Sequence, residues 1–403
     1  MTLEFTKGGL TLNIICSLLL SVLRTRIAYI LFLAFITIFS SCDSDEFYNT
    51  YSISDNSFGN YAISLENGGF LLTTTERHNS ESAYAAVYRI DKNGDILWQQ
   101  VIDQDVWDEG VQCLQRSHGG YTVLVNSGEG WFSSDIIIQI NENGTLQDSY
   151  PLATSSNSII FTSDGNYLLV GSLGPFGLST ATAQKLSQHG QDIWYYSSGD
   201  LSISRFVTVL ETESEYVLLG SYSDDVNLQQ WPYIVELSKD GEVISEQMLD
   251  TGAPVTPSDM CVVSDELYVL GTKYGIELSN VTLLKLSENG TIDWSLTLGA
   301  ESLIEYSHAI LPLEDSIMLL CSRFSENQDE SSILLIRVST SGDVVSEWEY
   351  GFGTHFSPSS IDSLNGGYMI CGTETVHGEE NRESRAFILT IDDAGVTEDY
   401  LLQ

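Results

Sequence analysis

The chain has 403 residues and a formal net charge of −40, from 16 Lys and Arg against 56 Asp and Glu. A surface this acidic repels phosphate, which excludes nucleic acid as a partner class. At 42% hydrophobic, with 20 Tyr and 15 Phe, the chain buries a sizeable core and is no disordered acidic tail; its 6 Cys are too few for a disulfide scaffold.

Residues 1–42 hold the only long apolar material. Arg24 and Arg26 precede an almost purely apolar run, Ile27–Phe39, which ends in Ser40, Ser41 and Cys42. A positive pair, an apolar core and small residues before a cysteine read as a secretory signal. The end of the run resembles the lipobox of bacterial lipoproteins. That resemblance implies that Cys42 is lipidated, becomes the first mature residue and anchors the chain to the Gram-negative outer membrane, facing either the periplasm or the cell surface. Asp43–Glu46 then reads as a surface-export signal or as plain solvated tether, with 43–57 as an acidic linker. No later stretch reaches the ~20 apolar residues needed to span a bilayer.

From Phe58 to Gln403 the sequence repeats. A short apolar strand recurs as GGFLLTT (68–74), GGYTVLVNS (119–127), YLLVGS (167–172), YVLLGS (216–221), YVLGT (268–272), IMLLCS (317–322) and GGYMICGT (366–373). A hairpin follows each, from AVYRIDKNGDILW (86–98) to FILTIDDAGVTEDY (387–400). The turn glycines, Gly94, Gly144, Gly190, Gly241, Gly290, Gly342 and Gly395, are spaced 50, 46, 51, 49, 52 and 53 residues apart. A tight hairpin needs positive φ, which Gly adopts without steric cost. Asp91, Asn141, Ser187, Ser238, Ser287, Ser339 and Asp392 sit three residues earlier, where a short polar side chain caps the turn amides. A further strand precedes each unit, as at Asn60–Leu65, Val111–Gln115 and Arg205–Leu210. Four strands in each unit of ~50 residues predict an all-β fold, a seven-bladed β-propeller over 58–403. Trp98, Trp194 and Trp294, four residues past their glycines, are expected to fill the gaps between sheets. The last hairpin supplies its own outer strand in this reading, so the ring is expected to close by side-chain packing.

The units resemble those of quinoprotein-like propellers and of uncharacterised bacterial secreted propellers. Spacing separates them from families with assigned chemistry. Asp91 to Gly94 is three positions, one short of the quinoprotein tryptophan motif, and Trp98 lies four past Gly94, one more than in a sialidase-type Asp box. The resemblance therefore implies the fold without a reaction or a cofactor. His78, His118, His189, His308, His355 and His377 form no zinc-type pair. Arg89, Lys185, Lys285 and Arg337 share one repeat position and read as structural, which leaves no basic site for an anionic ligand. Cys113, Cys261, Cys321 and Cys371 read as buried thiols.

The loops between second and third strands, such as Thr75–Ala83 and Tyr222–Trp231, are long and varied, and binding usually lives on such loops. They and the inter-blade connections gather Trp107, Trp131, Phe132, Phe176, Tyr222, Trp231, Tyr274, Phe324 and Phe356 on one face. Rings among carboxylates suit a peptide, protein or glycan. The expected function is a non-catalytic binding scaffold. The competing reading is a glycan hydrolase or lyase using Asp105, Asp108 or Glu305. Asp103, Asp105, Asp108 and Glu109 are a weak calcium candidate, and Ser316 and Ser363 sit in short motifs that resemble O-glycan acceptors.

Overall fold

The computed structural model describes residues 48–51, 56–78, 82–129, 132–174, 179–199, 203–223, 229–275, 278–299, 303–325, 330–351, 354–377 and 382–395. Cys42 and the whole signal, Trp131, Phe176 and the expected last outer strand within 396–403 lie outside the described residues.

All regular structure among the described residues is β-strand. Consecutive strands pair antiparallel in fours. The first sheet comprises Asn56–Ser64, Phe70–Arg77, Ala83–Ile90 and Ile96–Ile102; the second, Trp107–Gln115, Tyr121–Glu129, Phe132–Ile140 and Leu146–Pro151. The pattern recurs from Ser155 to Ser197, from Ile203 to Met248, from Val255 to Leu298 and from Ile304 to Tyr350. Single parallel bridges, Ala83 to Trp107 and Ser331 to His355, join neighbouring sheets where one ends and the next begins.

Second strands such as Phe70–Arg77 and Ser316–Phe324 are buried along nearly their whole length. A continuous apolar run suits a strand covered on both faces. Fourth strands such as Asp192–Ser197 instead alternate between exposed and half-buried positions. The core is accordingly a series of apolar layers between adjacent sheets. One layer sets Tyr268 and Leu270 against Ile317 and Leu319, and another sets Leu72 and Tyr88 of the first sheet against Met369 and Ile388 of the last. Cys113, Cys261, Cys321 and Cys371 are free and buried.

The hairpin turns follow the sequence reading. Gly94 has φ 88° and Gly241 φ 82°. Asp91 Oδ1 accepts from the amides of Asn93 (2.8 Å) and Asp95 (2.9 Å), and Ser238 Oγ accepts from Asp240 (3.3 Å) and Glu242 (3.1 Å). The tryptophans reach across to the next sheet. Trp98 Nε1 donates to Glu142 O at 2.9 Å and Trp194 Nε1 to Lys239 O at 3.1 Å, and each ring lies over the turn glycine of that next sheet, Gly144 or Gly241. The shared cation position is structural as expected. Lys185 Nζ holds Asp164 at 2.7 Å and the Tyr216 hydroxyl at 2.9 Å, and Arg89 holds Asn67 Oδ1 at 2.8 Å.

The last sheet departs from expectation. Its own strands are His355–Leu364, Gly367–His377 and Arg382–Asp392, and Tyr48–Tyr51, expected as tether, pairs antiparallel with Arg382–Asp392. Tyr51 faces Ala386 as Tyr350 faces Ile333 in the preceding sheet. The Tyr51 hydroxyl donates to the turn carbonyl of Gly94 at 3.1 Å, just as the Tyr350 hydroxyl donates to that of Gly395 at 2.8 Å. The N-terminal strand thus occupies the fourth-strand place. The first and last sheets meet by strand exchange as well as by packing, and Gly59 N donates to Thr373 Oγ1 (3.1 Å) and Ala62 N to Ser360 Oγ (3.0 Å).

Candidate functional site

Every first strand carries a β-bulge at the same place, opposite its second strand. The register shifts between Gly59 and Tyr61, Gly110 and Gln112, Ser156 and Ser158, Phe206 and Thr208, Pro257 and Asp259, Ser307 and Ala309, and Pro358 and Ser360. A bulge bends a strand and re-aims one side chain. Here the re-aimed residue often ties one sheet to the next. Asn157 Nδ2 donates to Phe206 O (2.7 Å), Ser258 Oγ to Ser307 Oγ (2.9 Å) and Ser359 Oγ to Gly59 O (2.8 Å). His308, the bulge residue of its strand, has Nε2 2.9 Å from Ser322 Oγ, and burial pulls its pKa down to about 4.

Among the described residues, three clefts at the strand ends opposite the hairpin turns each contain one predicted aromatic. The most fully built, of about 260 Å³, forms where the last, first and second sheets meet. Its floor is Gly59, whose carbonyl and amide are both held by the last sheet, and a Cβ there would collide with the backbone of Gly372. Thr75 Oγ1 donates to Asn60 Oδ1 at 2.9 Å on one wall. Arg77, at the end of its strand, lays its guanidinium 4.6 Å from the Phe58 ring centroid and 5.1 Å from that of Trp107. Cation–π contact with both rings holds the guanidinium at the cleft. Among the described residues Arg77 forms no ion pair. Arg77 belongs neither to the signal nor to the repeat position, so it is a cation to which the sequence reading gave no role. Burial pushes the Glu109 carboxyl above its usual range, while Arg77 pulls it back.

A second cleft, of about 630 Å³, holds Tyr274, Arg205 and Gln230. A third, of about 190 Å³, holds Phe324 beside Arg323. The two are linked by a line of rings: Tyr274 to Tyr306 (6.1 Å), Tyr306 to Phe324 (5.5 Å) and Phe324 to His355 (5.9 Å). Arg323 is fully engaged, with Glu305 at 2.7 Å, Glu349 at 2.8 Å and Glu347 at 2.9 Å.

The other predicted residues fall elsewhere. Tyr222 stacks on Tyr233 at 6.3 Å and packs against the core. Trp231 pairs with Tyr222 across that sheet. Phe356 is buried in the layer between the last two sheets. Phe132 opens a strand of the second sheet. Asp108 is fully buried, and its Oδ2 accepts from the amides of Gln104 (2.6 Å) and Asp105 (3.1 Å), so it caps its own loop. Asp105 Oδ1 accepts from Val106 N at 2.8 Å. Among the described residues no three His, Cys, Asp or Glu gather as a metal site, so Asp103, Asp105, Asp108 and Glu109 do not form the calcium cluster their spacing suggested. Ser316 is only 2% exposed and is held by Arg337 Nε at 2.8 Å, which removes it as an O-glycan acceptor; Ser363 is exposed.

Two perturbed acids carry no sequence signal. Burial pushes Asp259 up to about 6 although its oxygens accept from Ile310 N (3.1 Å) and Met260 N (2.9 Å). Burial pushes Asp135 up to about 7, opposed by its hydrogen bond from Ser156 N, and its Oδ1 has no partner among the described residues. A raised carboxylate binds its proton more tightly in the folded state than in the unfolded one. The folded state therefore loses stability as pH rises from the ordinary carboxylate range to about 7. Asp135→Asn cannot ionise and escapes that loss. Its unfolding free energy is expected to gain about 2 kcal/mol on the parent between about pH 5 and pH 8. Urea titrations at both values check this, and parallel pH profiles would refute it.

No family model matches the chain, and no curated protein does. Among solved structures it is similar to puromycin hydrolase, with a TM-score of 0.55 and 10% identity over 83% of this chain and 52% of that one. It is also similar to the AfRom2 CNH domain, with a TM-score of 0.50 and 10% identity over 85% of this chain and 97% of that one. The chain thus spans about half the length of puromycin hydrolase. Identities this low speak for the fold alone, which is all-β and propeller-like.

Proposed function

We propose that the successive sheets are the seven blades of a closed β-propeller, and that this propeller is a non-catalytic binding scaffold held at the Gram-negative cell envelope by a lipid on Cys42. The observation that carries the binding reading is the Arg77 cleft. A guanidinium held between Phe58 and Trp107, beside Glu109 and the hydroxyls of Ser357 and Ser359, offers one charged fork and several polar contacts in a space of about 260 Å³. That space takes one sugar unit or one peptide side chain of a larger glycan or protein partner. The enzyme reading is weaker because its carboxylates have other duties. Glu305 is ion-paired at 2.7 Å with Arg323, and Asp108 caps its loop.

Screening the protein on glycan and peptide arrays, with turnover assays on every hit, separates the readings. Arg77→Gln and Trp107→Ala are each expected to weaken the captured ligand at least tenfold, about 1.4 kcal/mol, without lowering Tm. Turnover that disappears in Asp105→Asn would establish the enzyme instead. Binding that survives both cleft substitutions would move the site to the Tyr274–Phe324 line.

A further inference from the structure

We infer that the face carrying the hairpin turns is the one apposed to the lipid bilayer, and that the face carrying the clefts points away from it. The inference rests on the reading of Cys42 as the lipidated residue. The placement of Tyr48–Tyr51 supplies the direction. Its partner strand, Arg382–Asp392, runs from the cleft side toward the turn at Gly395. Tyr48 faces Leu389 and Tyr51 faces Ala386, so the chain enters its sheet near the turns and climbs toward the clefts.

Only residues 43–47 separate Cys42 from Tyr48. Fully extended, that stretch reaches roughly 20 Å. From Tyr48 to the turn end of the sheet, Leu389 to Asp392, the rise is about 10 Å. To the cleft end, Leu389 back to Arg382, it is about 23 Å. The linker reaches a membrane under the turns with length to spare, and falls a few ångström short of one lying over the clefts.

The turn end is also dressed for an interface. Outer strands begin there with exposed aliphatic pairs: Ile96 (47%) and Leu97 (59%), Val243 (48%) and Ile244 (54%), Val344 (46%) and Val345 (57%). Such residues gain by contact with the headgroup–acyl boundary. The acidic turns between them do not bind an anionic surface unaided, so the short linker is what imposes the contact. The Arg77 cleft then receives ligands from the aqueous side.

Fluorescence energy transfer in proteoliposomes tests this. The lipidated full-length product is reconstituted, outward-facing, into phosphatidylethanolamine–phosphatidylglycerol vesicles containing a rhodamine-labelled lipid. A donor is placed on Asn143→Cys in a hairpin turn or on Gln229→Cys beside the second cleft; both positions are exposed, and the native thiols described are buried. Transfer to the bilayer is expected to be at least threefold more efficient from position 143 than from 229. Equal efficiencies, as for a propeller lying on its side, or the reverse order would overturn the orientation while leaving the anchor intact. Failure of the vesicles to retain the protein, with no radiolabelled palmitate incorporated, would overturn the Cys42 reading and the orientation with it.

Discussion

Tyr51→Ala is expected to lower the unfolding free energy by about 3–5 kcal/mol, the cost of truncating a large buried side chain whose neighbours cannot collapse into the gap. Tyr51 is 3% exposed, lies 6.2 Å from the ring of Tyr88 and ends in a hydrogen bond to Gly94 O. It therefore joins three strands at once: its own, Arg382–Asp392 beside it, and the first sheet across the layer. Tyr51→Phe keeps the packing and loses the hydroxyl bond, for about 1 kcal/mol. Thr50, its exposed neighbour, should tolerate Ala within about 0.5 kcal/mol. Urea unfolding followed by tryptophan fluorescence gives all three values. A Tyr51→Ala chain no weaker than Thr50→Ala would mean that the strand is not seated in solution.

Gly241→Ala should cost about 3 kcal/mol and Gly342→Ala about 1 kcal/mol, although both are turn glycines at positive φ. Both pay the left-handed backbone term, with φ 82° and 91°. They differ in what a Cβ meets. At Gly241 it would come within 2.6 Å of the Trp194 ring, whereas at Gly342 the nearest atoms of Trp294 are 3.5 Å away, an ordinary contact. Placing Gly241→Ala in a Trp194→Ala background should therefore bring its cost down to that of Gly342→Ala. A double-mutant cycle with a coupling below about 0.5 kcal/mol would show that the ring and the glycine are independent.

These two cases show where sequence sufficed and where it did not. The turn at Gly241 was legible because positive φ and a short capping side chain such as Ser238 are local requirements that recur in every unit, with the tryptophan spacing added in three of them. All seven repeats read as four consecutive strands on that basis, and six of them are. Tyr48–Tyr51 was not legible. Four residues with no period sit in an acidic stretch, and what makes them a strand is a partner more than 330 positions away. The bulges were hidden for a related reason, since inserting one residue into a half-buried strand disturbs an alternation that was already faint. Trp107 was found because it is large and near a loop. The rest of its cleft comes from three sheets, and Arg77 has no motif of its own; only the fold brings it between two rings. Asp135 looked like any other of the 56 acids until its burial could be seen.

The exchange of the N-terminal strand has a kinetic consequence. The first described strand is made first and is completed last, because Arg382–Asp392 must exist before Tyr48–Tyr51 has anything to pair with. Contacts of such long sequence separation are slow to form, since closure of the whole chain is paid for before they return any energy. The other sheets are assembled from neighbours in the chain and can form in order of synthesis. Once Arg382–Asp392 is made and until Tyr48–Tyr51 docks on it, the last sheet shows a bare edge, a template for the wrong strand. A circular permutant that carries Tyr48–Tyr51 behind Gly395 turns this contact into a local hairpin, and refolds the faster for it.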